Sequence, residues 1–367
     1  MKQLLGVVWL FLPTLLFSQM GATFPQNQRL VRGTIVYQSF NVEDVDDPIS
    51  EFSFPIQVNW SFTPEINLQI LHTPASSQFG EYKLAGMSDT YLKGNYLFLD
   101  QKALVGVGLG LPTGLTQLND KEFYVSQLLA TNALRFQLPV FGQGFTANFG
   151  VAYAHPVNPK VVFGVGFNYI VRGSYKPVKE SIDDYNPGDQ IGFNLGTDIL
   201  ISEDKKLFID GLYHIYLPDK IRGREAFGSG DKVVINIGFL MNMDYITILV
   251  DASFRQKGKN ELWTGTKLEP EEKSTNGPQA ELDGYLRYAV NQQLGALGFL
   301  SVRAHGENEL RYGDAAIFGI GGGIDFAFTP LIIGDLGIKA YVGRLGGGSA
   351  AKSINGFEVL TGCSFNL

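Results

Sequence analysis

The sequence predicts an all-β protein, a transmembrane antiparallel up-and-down β-barrel of about 16 strands, with 14 as the alternative count. Three observations indicate this fold. Apolar residues alternate with polar or small residues over stretches of about ten residues. Short turns alternate with long polar loops. The N-terminus has the pattern of an export signal.

The export signal is predicted at residues 1–20, followed by a single barrel domain at residues 21–367. Lys2 precedes an apolar run over residues 4–17, and small or polar residues follow it, so cleavage is expected between residues 19 and 22. The apolar run has about 14 residues, fewer than the roughly 20 that a membrane-spanning helix needs.

Alternation is clearest in residues 51–62, where large apolar residues occupy every second position. The same pattern recurs in residues 161–172, 190–200, 245–255 and 316–328. One face carries Phe, Tyr, Trp and Ile, and the other carries Gly, Asn, Ser and charged residues. A soluble core would not be lined by charge and glycine, whereas a barrel with lipid outside and water inside accounts for both faces.

The connections between strands fall into two classes. Short turns are predicted at residues 63–65, 100–102, 156–160, 202–206, 242–244, 291–297 and 329–334. Long polar loops are predicted at residues 39–50, 73–86, 112–133, 173–188, 217–230, 257–279 and 346–354, with a shorter connection at 309–315. The first strand, at residues 29–38, is weakly defined. Residues 134–155 form either one long strand kinked at Pro139 or a loop followed by a strand.

Composition excludes several classes of protein. The chain has 367 residues, of which 45% are hydrophobic, 13% aromatic and 18% charged. Cys363 is the sole cysteine, so the chain is not a disulfide scaffold. The net charge of −7 argues against a nucleic-acid partner. Four scattered histidines predict no Cys/His metal site, and no cofactor is expected.

Residues 87–114 carry a family resemblance. Ser88 and Asp89 open a strand, and residues 108–114, with the sequence GLGLPTG, end the next hairpin. This stretch resembles the outer-membrane proteins grouped around the meta-pathway of phenol degradation, which are similar in turn to the FadL superfamily of long-chain fatty acid transporters. The resemblance covers residues 86–200 and implies passive uptake of small hydrophobic compounds. The fatty acid transporters carry an N-terminal hatch, for which a strand starting near Arg29 leaves no room.

The function predicted is therefore that of an outer-membrane channel or transporter, a porin-like barrel, for small hydrophobic or aromatic compounds. The expected partners are outer-membrane lipid, a small apolar substrate and the barrel assembly machinery. No catalytic residue is predicted, because the chain contains neither Gly-x-Ser-x-Gly nor His-Glu-x-x-His. The alternative is a structural or secretion-accessory barrel with no transport role. A lipid hydrolase is a third reading.

A constriction is predicted in the loop at residues 112–133. Residues 120–132 form the most helix-like stretch, with Asp120 as a candidate cap and Phe123, Leu128 and Leu129 as an apolar stripe. The helix either packs into the pore beside glycine-rich strands or forms an extracellular cap. Glycines spaced by two on the inner face serve either wall curvature or a smooth surface for a loop or an apolar ligand.

Charged residues on one face of the late strands are predicted to line the pore, since a lipid-facing Arg or Lys costs about 2–4 kcal/mol at the midplane. The candidates are Asp283, Arg287, Arg303, His305, Glu307, Asp325 and Lys339. A turn near Gly295 predicts Asp283 beside His305, and Glu281 beside Glu307. A turn at residues 329–334 predicts Asp325 opposite Lys339. These charges form either structural ion pairs or a polar track that orients a ligand.

Overall fold

A computed structural model describes residues 29–131, 133–179, 184–346 and 351–367. The predicted signal peptide at residues 1–20 lies outside the described residues. No helix in the part of the chain that the structure describes has the length and apolar character needed to cross a bilayer.

Within the described ranges the chain forms 24 strands and one helix. The strands are β1 (Arg29–Val42), β2 (Ile49–Ser53), β3 (Ile56–Ser61), β4 (Ile66–His72), β5 (Pro74–Phe79), β6 (Tyr82–Met87), β7 (Thr90–Phe98), β8 (Ala103–Leu111), β9 (Thr146–Asn158), β10 (Val161–Arg172), β11 (Tyr185–Asn186), β12 (Gln190–Ser202), β13 (Lys205–Tyr216), β14 (Asp219–Ile221), β15 (Arg224–Gly228), β16 (Lys232–Asn242), β17 (Ile246–Lys257), β18 (Glu261–Trp263), β19 (Leu268–Pro270), β20 (Gln279–Ala289), β21 (Leu294–His305), β22 (Ala315–Thr329), β23 (Ile332–Leu345) and β24 (Lys352–Asn366). The helix is α1 (Asp120–Leu129).

The described strands close into an antiparallel barrel of 16 wall strands, which confirms the predicted fold. Three wall strands are interrupted, so that β2 with β3, β5 with β4, and β6 with β7 each form one wall strand. The first break contains Pro55, which has no N–H to donate to a neighbouring strand. β1 and β24 close the barrel through thirteen register pairs, from Leu30 with Asn366 to Val42 with Ile354.

The two faces of the wall differ as the alternation predicts. In β22, Phe318, Ile320 and Ile324 are exposed on the outside of the barrel, whereas Ile317 and Asp325 are buried inside. Strands on the other side of the barrel repeat this arrangement, with large apolar side chains outward. The outside therefore matches a hydrocarbon environment, and closure leaves no sheet edge facing lipid.

The long loops form a second sheet at one end of the barrel. β11, β14, β15, β18 and β19 pair in that order as five antiparallel strands of the described chain. We call these strands the loop sheet. Long loops lie on the extracellular side of outer-membrane barrels, so the loop sheet lies above the extracellular mouth.

Two predicted loops contribute residues to the wall strands. Residues 73–86, which are rich in serine, form the β5–β6 hairpin, because Ser77 is buried on its inner face and its hydroxyl donates to Glu51 at 3.1 Å. In the predicted loop at residues 39–50, strand β1 continues to Val42 and β2 starts at Ile49. Residues 134–155 are a loop followed by a strand, since β9 begins at Thr146.

Candidate functional site

The lumen contains a chain segment that folds back from the mouth. It consists of residues 112–131 and 133–145, between β8 and β9, and we call it the interior segment. Its helix α1 contacts β5 and β6, the latter belonging to the wall strand that precedes β8. The segment therefore lies within the barrel and forms part of the candidate site.

The helix is capped by Asn119 and not by Asp120. The Asn119 side chain accepts a hydrogen bond from the Glu122 amide at 3.0 Å, and the Glu122 carboxylate accepts one from the Asn119 amide at 2.9 Å. This reciprocal pair is a capping box. In a capping box the capping residue lies three positions before the Glu, and that position is Asn119, whereas Asp120 is only two positions before Glu122.

The three constriction candidates have different environments. Leu129 is buried in the lumenal core, and Leu128 packs partly against that core. Phe123 is 38% exposed and lies outside the core. The helix thus presents a narrow apolar stripe to the β5–β6 hairpin, and its effect on the pore remains a prediction.

The deeper part of the interior segment carries most of the apolar packing. Leu134, Phe136, Leu138 and Phe141 are buried in a cluster with side chains from the wall. The wall residues in that cluster include Phe40, Ala315, Ile317, Tyr341 and Ile354. The Phe136 and Phe40 rings meet edge to face, with centroids 5.4 Å apart. Sequence alternation could not reveal this cluster, because it pairs a loop with residues distant in the chain.

Polar side chains of the wall fix the backbone of the interior segment. Arg303 donates to the carbonyl oxygens of Ala133 at 2.8 Å and Leu134 at 2.7 Å. Glu51 accepts from the Leu138 amide at 2.8 Å. Gln38 bonds to the segment in both directions, to the Arg135 carbonyl and from the Gln137 amide. Unpaired backbone groups in this buried position would cost about 1–3 kcal/mol each, so these side chains hold the segment in place.

Arg135 forms the charged contact between the interior segment and the wall. Its Nη1 lies 2.8 Å from Asp283 Oδ2 and 3.5 Å from Glu281 Oε2. Glu281 also lies 3.3 Å from Arg255 Nη2 and 3.7 Å from His305 Nε2. Among the predicted candidates, Asp283, Arg303 and His305 are therefore brought together around this segment.

The predicted register of the β20–β21 hairpin is wrong. Glu281 lies opposite Arg303, and Asp283 lies opposite Ser301. The turn is formed before Gly295, because Asn291 Oδ1 accepts the amides of Gln293 and Leu294, each at 2.8 Å. A side chain that replaces backbone turn bonds in this way sets the turn position.

Glu307 lies outside the wall, which corrects its predicted place in a strand. β21 ends at His305, and Glu307 is exposed in the connection to β22. Asn308 organises that connection, since its side chain accepts the amides of Leu310 and Tyr312.

Asp325 and Lys339 lie inside the barrel, but they are not opposite each other. Asp325 faces Asp335, and Lys339 faces Gly321, because the turn is confined to residues 330–331. The Arg287 guanidinium makes two bonds of 2.8 Å with Asp325. Lys339 Nζ instead lies 2.9 Å from Glu358 Oε1.

The inner face of β8, β9, β10 and β12 carries mostly small and neutral side chains, with the charged residues Asp198 and Arg172 near opposite ends of it. These occupy the face opposite the exposed residues Val107, Phe149, Val165 and Phe193. They include Gly106, Gly108, Gly150, Asn148, Gly164, Gly166, Asn168, Gly192, Asn194 and Gly196. Glycines pair directly across strands, as in Gly106 with Gly150 and Gly164 with Gly196. The apolar cluster of the interior segment includes none of the described residues of this wall.

Comparison with known proteins gives structural matches only. No protein-family profile matches the sequence, and no curated protein matches it. A bacterial polysaccharide outer membrane secretin matches at 8% identity and a TM-score of 0.47, over 94% of this chain and 100% of the other. The Ralstonia pickettii toluene transporter TbuX matches at 9% identity and a TM-score of 0.44, over 94% and 90%. OmpT, an outer membrane protein of Vibrio cholerae, matches at 11% and 0.43, over 94% and 99%.

The protein is an outer-membrane β-barrel. This follows from its own wall, which is closed and antiparallel with an apolar outer surface. The fold and location predicted from the sequence are thereby confirmed.

Proposed function

We propose that this barrel is a channel for the passive uptake of small hydrophobic or aromatic compounds. The observation that carries the proposal is the unequal lining of the lumen. The interior segment bonds to or packs on β1, β2, β5, β6 and β20–β24. The wall from β8 to β12 instead carries glycine and asparagine.

A narrow path between the interior segment and the glycine-rich wall suits small solutes. Glycine removes side chains from the wall and lets a ligand approach the backbone closely. The choice of apolar or aromatic solutes rests on the resemblance of residues 86–200 to the outer-membrane uptake family. No energy-coupling element is required, because a solute moves down its own gradient through such a path.

The charged side chains of the inner wall in β20 and β22–β24 have two proposed roles. Arg287 with Asp325 and Lys339 with Glu358 are close ion pairs on the inner wall. They serve either as structural pairs facing water or as a polar track for a ligand's polar group. Arg303 is different, because its bonds to the interior segment give it a structural role already.

A second candidate function is a barrel without transport, which presents its loops to partner proteins. The loop sheet favours it, because five strands contributed by the long loops are hydrogen-bonded into one ordered surface. The packed cluster around Phe136 and Leu134 also fills part of the lumen.

Conductance in planar bilayers separates the two candidates. A channel gives discrete current steps, which toluene or phenol reduces as it occupies the path, and liposomes containing the protein take up these compounds faster than empty liposomes. Deleting residues 118–132 removes α1 and should raise the single-channel conductance. A folded barrel, recognised by different gel migration before and after boiling, that neither conducts nor speeds uptake would reject the channel and favour the second candidate.

A further inference from the structure

A cluster of positive charge lies on the inner wall at the extracellular mouth, outside the apolar cluster that the interior segment forms with the wall. Arg172 ends β10, Lys232 begins β16 and Lys257 ends β17, and all three surround the ring of Tyr216 at the end of β13. The distances from their charged groups to the ring centroid are 5.9, 5.9 and 6.0 Å. We call these four residues the mouth cluster.

The mouth cluster is not neutralised by ion pairs. Across the described residues, no carboxylate lies within 4.0 Å of the Lys232 or Lys257 ammonium or of the Arg172 guanidinium. Arg172 Nη2 donates to the neutral side chain of Gln190 at 2.9 Å. The contact that the two ammonium groups share is the face of the Tyr216 ring, at the outer distance limit of a cation–π interaction.

The carboxylates around the cluster are engaged elsewhere. Asp219 and Glu271 attract Lys257 at longer range. Asp219 accepts from the Tyr185 hydroxyl at 2.5 Å and the Gly188 amide at 2.7 Å. Glu271 accepts from the Asn260 and Thr275 amides and the Thr275 hydroxyl. Asp189 accepts from the Tyr169 hydroxyl at 2.5 Å and from the Arg172 amide at 3.0 Å. These three carboxylates are thus hydrogen-bonded to groups other than the charged ends of Arg172, Lys232 and Lys257.

The register of β16 and β17 brings two of the positive charges together, which lowers the stability of the sheet. Lys232 lies directly opposite Lys257 on the neighbouring strand. Like charges in directly opposed positions destabilise a sheet. Positions that break a local rule without a structural gain are expected at functional sites. The pair therefore points to a ligand of opposite charge.

A cavity beside Arg172 indicates the shape of that ligand. It measures about 110 Å³ and is lined by Gln143, Thr146, Arg172, Tyr175, Tyr185 and Pro187. Tyr175 and Tyr185 meet edge to face there, with centroids 5.7 Å apart. Arg172 is shared by the cavity and the mouth cluster, so a single ligand can contact both.

We propose that the mouth cluster and this cavity form a binding site for a small aromatic carboxylate. The carboxylate bonds to Arg172 and the two lysines, and the ring lies in the cavity against Tyr175 and Tyr185. Guanidinium groups bind carboxylates through two parallel N–H donors, and aromatic rings favour edge-to-face partners. This site goes beyond the proposed uptake of apolar compounds, and its occupancy does not depend on transport.

Equilibrium titration of the folded protein in detergent micelles at low ionic strength tests the proposal, with benzoate as the probe. Benzoate should bind saturably, and the double variant Lys232→Gln/Lys257→Gln should weaken binding about tenfold or more. Tyr175→Ala should weaken benzoate binding while leaving phosphate binding unchanged. Lys160→Gln, in a short turn at the opposite end of the barrel, is the matched control and should bind like the parent.

Thermal unfolding provides a second readout. Because the two lysines repel each other, the double variant should melt at a higher temperature than the parent without ligand, and benzoate should stabilise the parent alone. Absence of saturable benzoate binding would overturn the site. Benzoate binding that is no tighter than phosphate binding, and that Tyr175→Ala leaves unchanged, would overturn the assignment to aromatic carboxylates. Neither outcome would bear on uptake of toluene, which is measured separately in liposomes.

Discussion

Arg135 Nη1 lies 2.8 Å from Asp283 Oδ2, so an ion pair joins the interior segment to strand β20. The Arg135 side chain is about a fifth exposed, and Glu281 lies within 3.5 Å of the same nitrogen. The ion pair adds to the apolar packing of the segment in the cluster that includes Phe40 and Tyr341.

Replacing Arg135 by Gln should loosen the interior segment. The change removes the positive charge that faces Asp283 and Glu281, and leaves two carboxylates beside each other. The loss is greatest at Glu281, whose side chain is buried, whereas the Asp283 side chain is partly exposed. We expect larger and more frequent current fluctuations in planar bilayers. Lys83→Gln, at an exposed position of β6, loses the same charge and is the control. Identical current traces for the two variants would contradict the anchoring role.

Replacing Phe136 by Ala should detach the interior segment without opening the barrel. Phe136 is 4% exposed and packs on Phe40, and such truncations cost about 3–5 kcal/mol. Limited proteolysis should then cleave the chain within residues 112–145, while unboiled samples still migrate as folded barrels. Val140→Ala, on an exposed residue of the same segment, should remain resistant. Equal resistance of both variants would show that the cluster does not hold the segment.

Replacing Arg287 by Ala should shift ion selectivity towards cations. Arg287 is the bidentate partner of Asp325, which faces Asp335 across the β22–β23 hairpin. Removing it exposes the lumen to an uncompensated carboxylate. The shift is measured as the reversal potential in a salt gradient. Arg224→Ala, in the loop sheet, has the same charge change and should leave the potential unaltered. If heat stability falls while selectivity and uptake are unchanged, the ion pair is structural and the ligand track is rejected.

The loop around Glu271 should open in acid. Burial raises the pKa of Glu271, but hydrogen bonds from Thr275 and Asn260 outweigh burial and hold the pKa below its usual value of 4.5. A lowered pKa means that the carboxylate stabilises the loop above about pH 4.5 and loses this effect as the pH falls through the folded-state pKa. Proteolysis of residues 258–278 should therefore rise at acidic pH. Glu271→Gln should flatten this dependence, and Glu269→Gln should preserve it. A flat profile in the parent would refute the prediction.

The wall could be predicted from the sequence because each strand carries its own evidence. Outward positions such as Phe318 and Ile320 are apolar whatever lies across the hairpin, so alternation identifies strands one at a time. Serine-rich residues 74–79 were the exception. Their inner face contacts Glu51, a buried polar residue, and so lacks the apolar signal of the other strands.

Register and interior contacts could not be predicted in the same way. A shift in the turn at Asn291 moves every partner along β20 and β21, which is why Arg303 faces Glu281. The alternation correctly places Arg303 on the inner face of its strand. Its hydrogen-bond partners could not be predicted, because they are backbone carbonyl groups 169 and 170 residues away in the sequence. The mouth cluster could not be predicted from the sequence either, because Arg172, Lys232 and Lys257 lie on three strands that become neighbours only in the closed wall.

The pairing of β1 with β24 has a consequence for biogenesis. Thirteen residue pairs join the two strands, and until they form, each strand is an open edge that lipid cannot satisfy. A chain that lacks the β1–β24 pairing is therefore unstable in the bilayer, even when its other hairpins have formed. Stable insertion is therefore expected only for chains with a complete β24. Chains truncated within β24 should be degraded by periplasmic proteases.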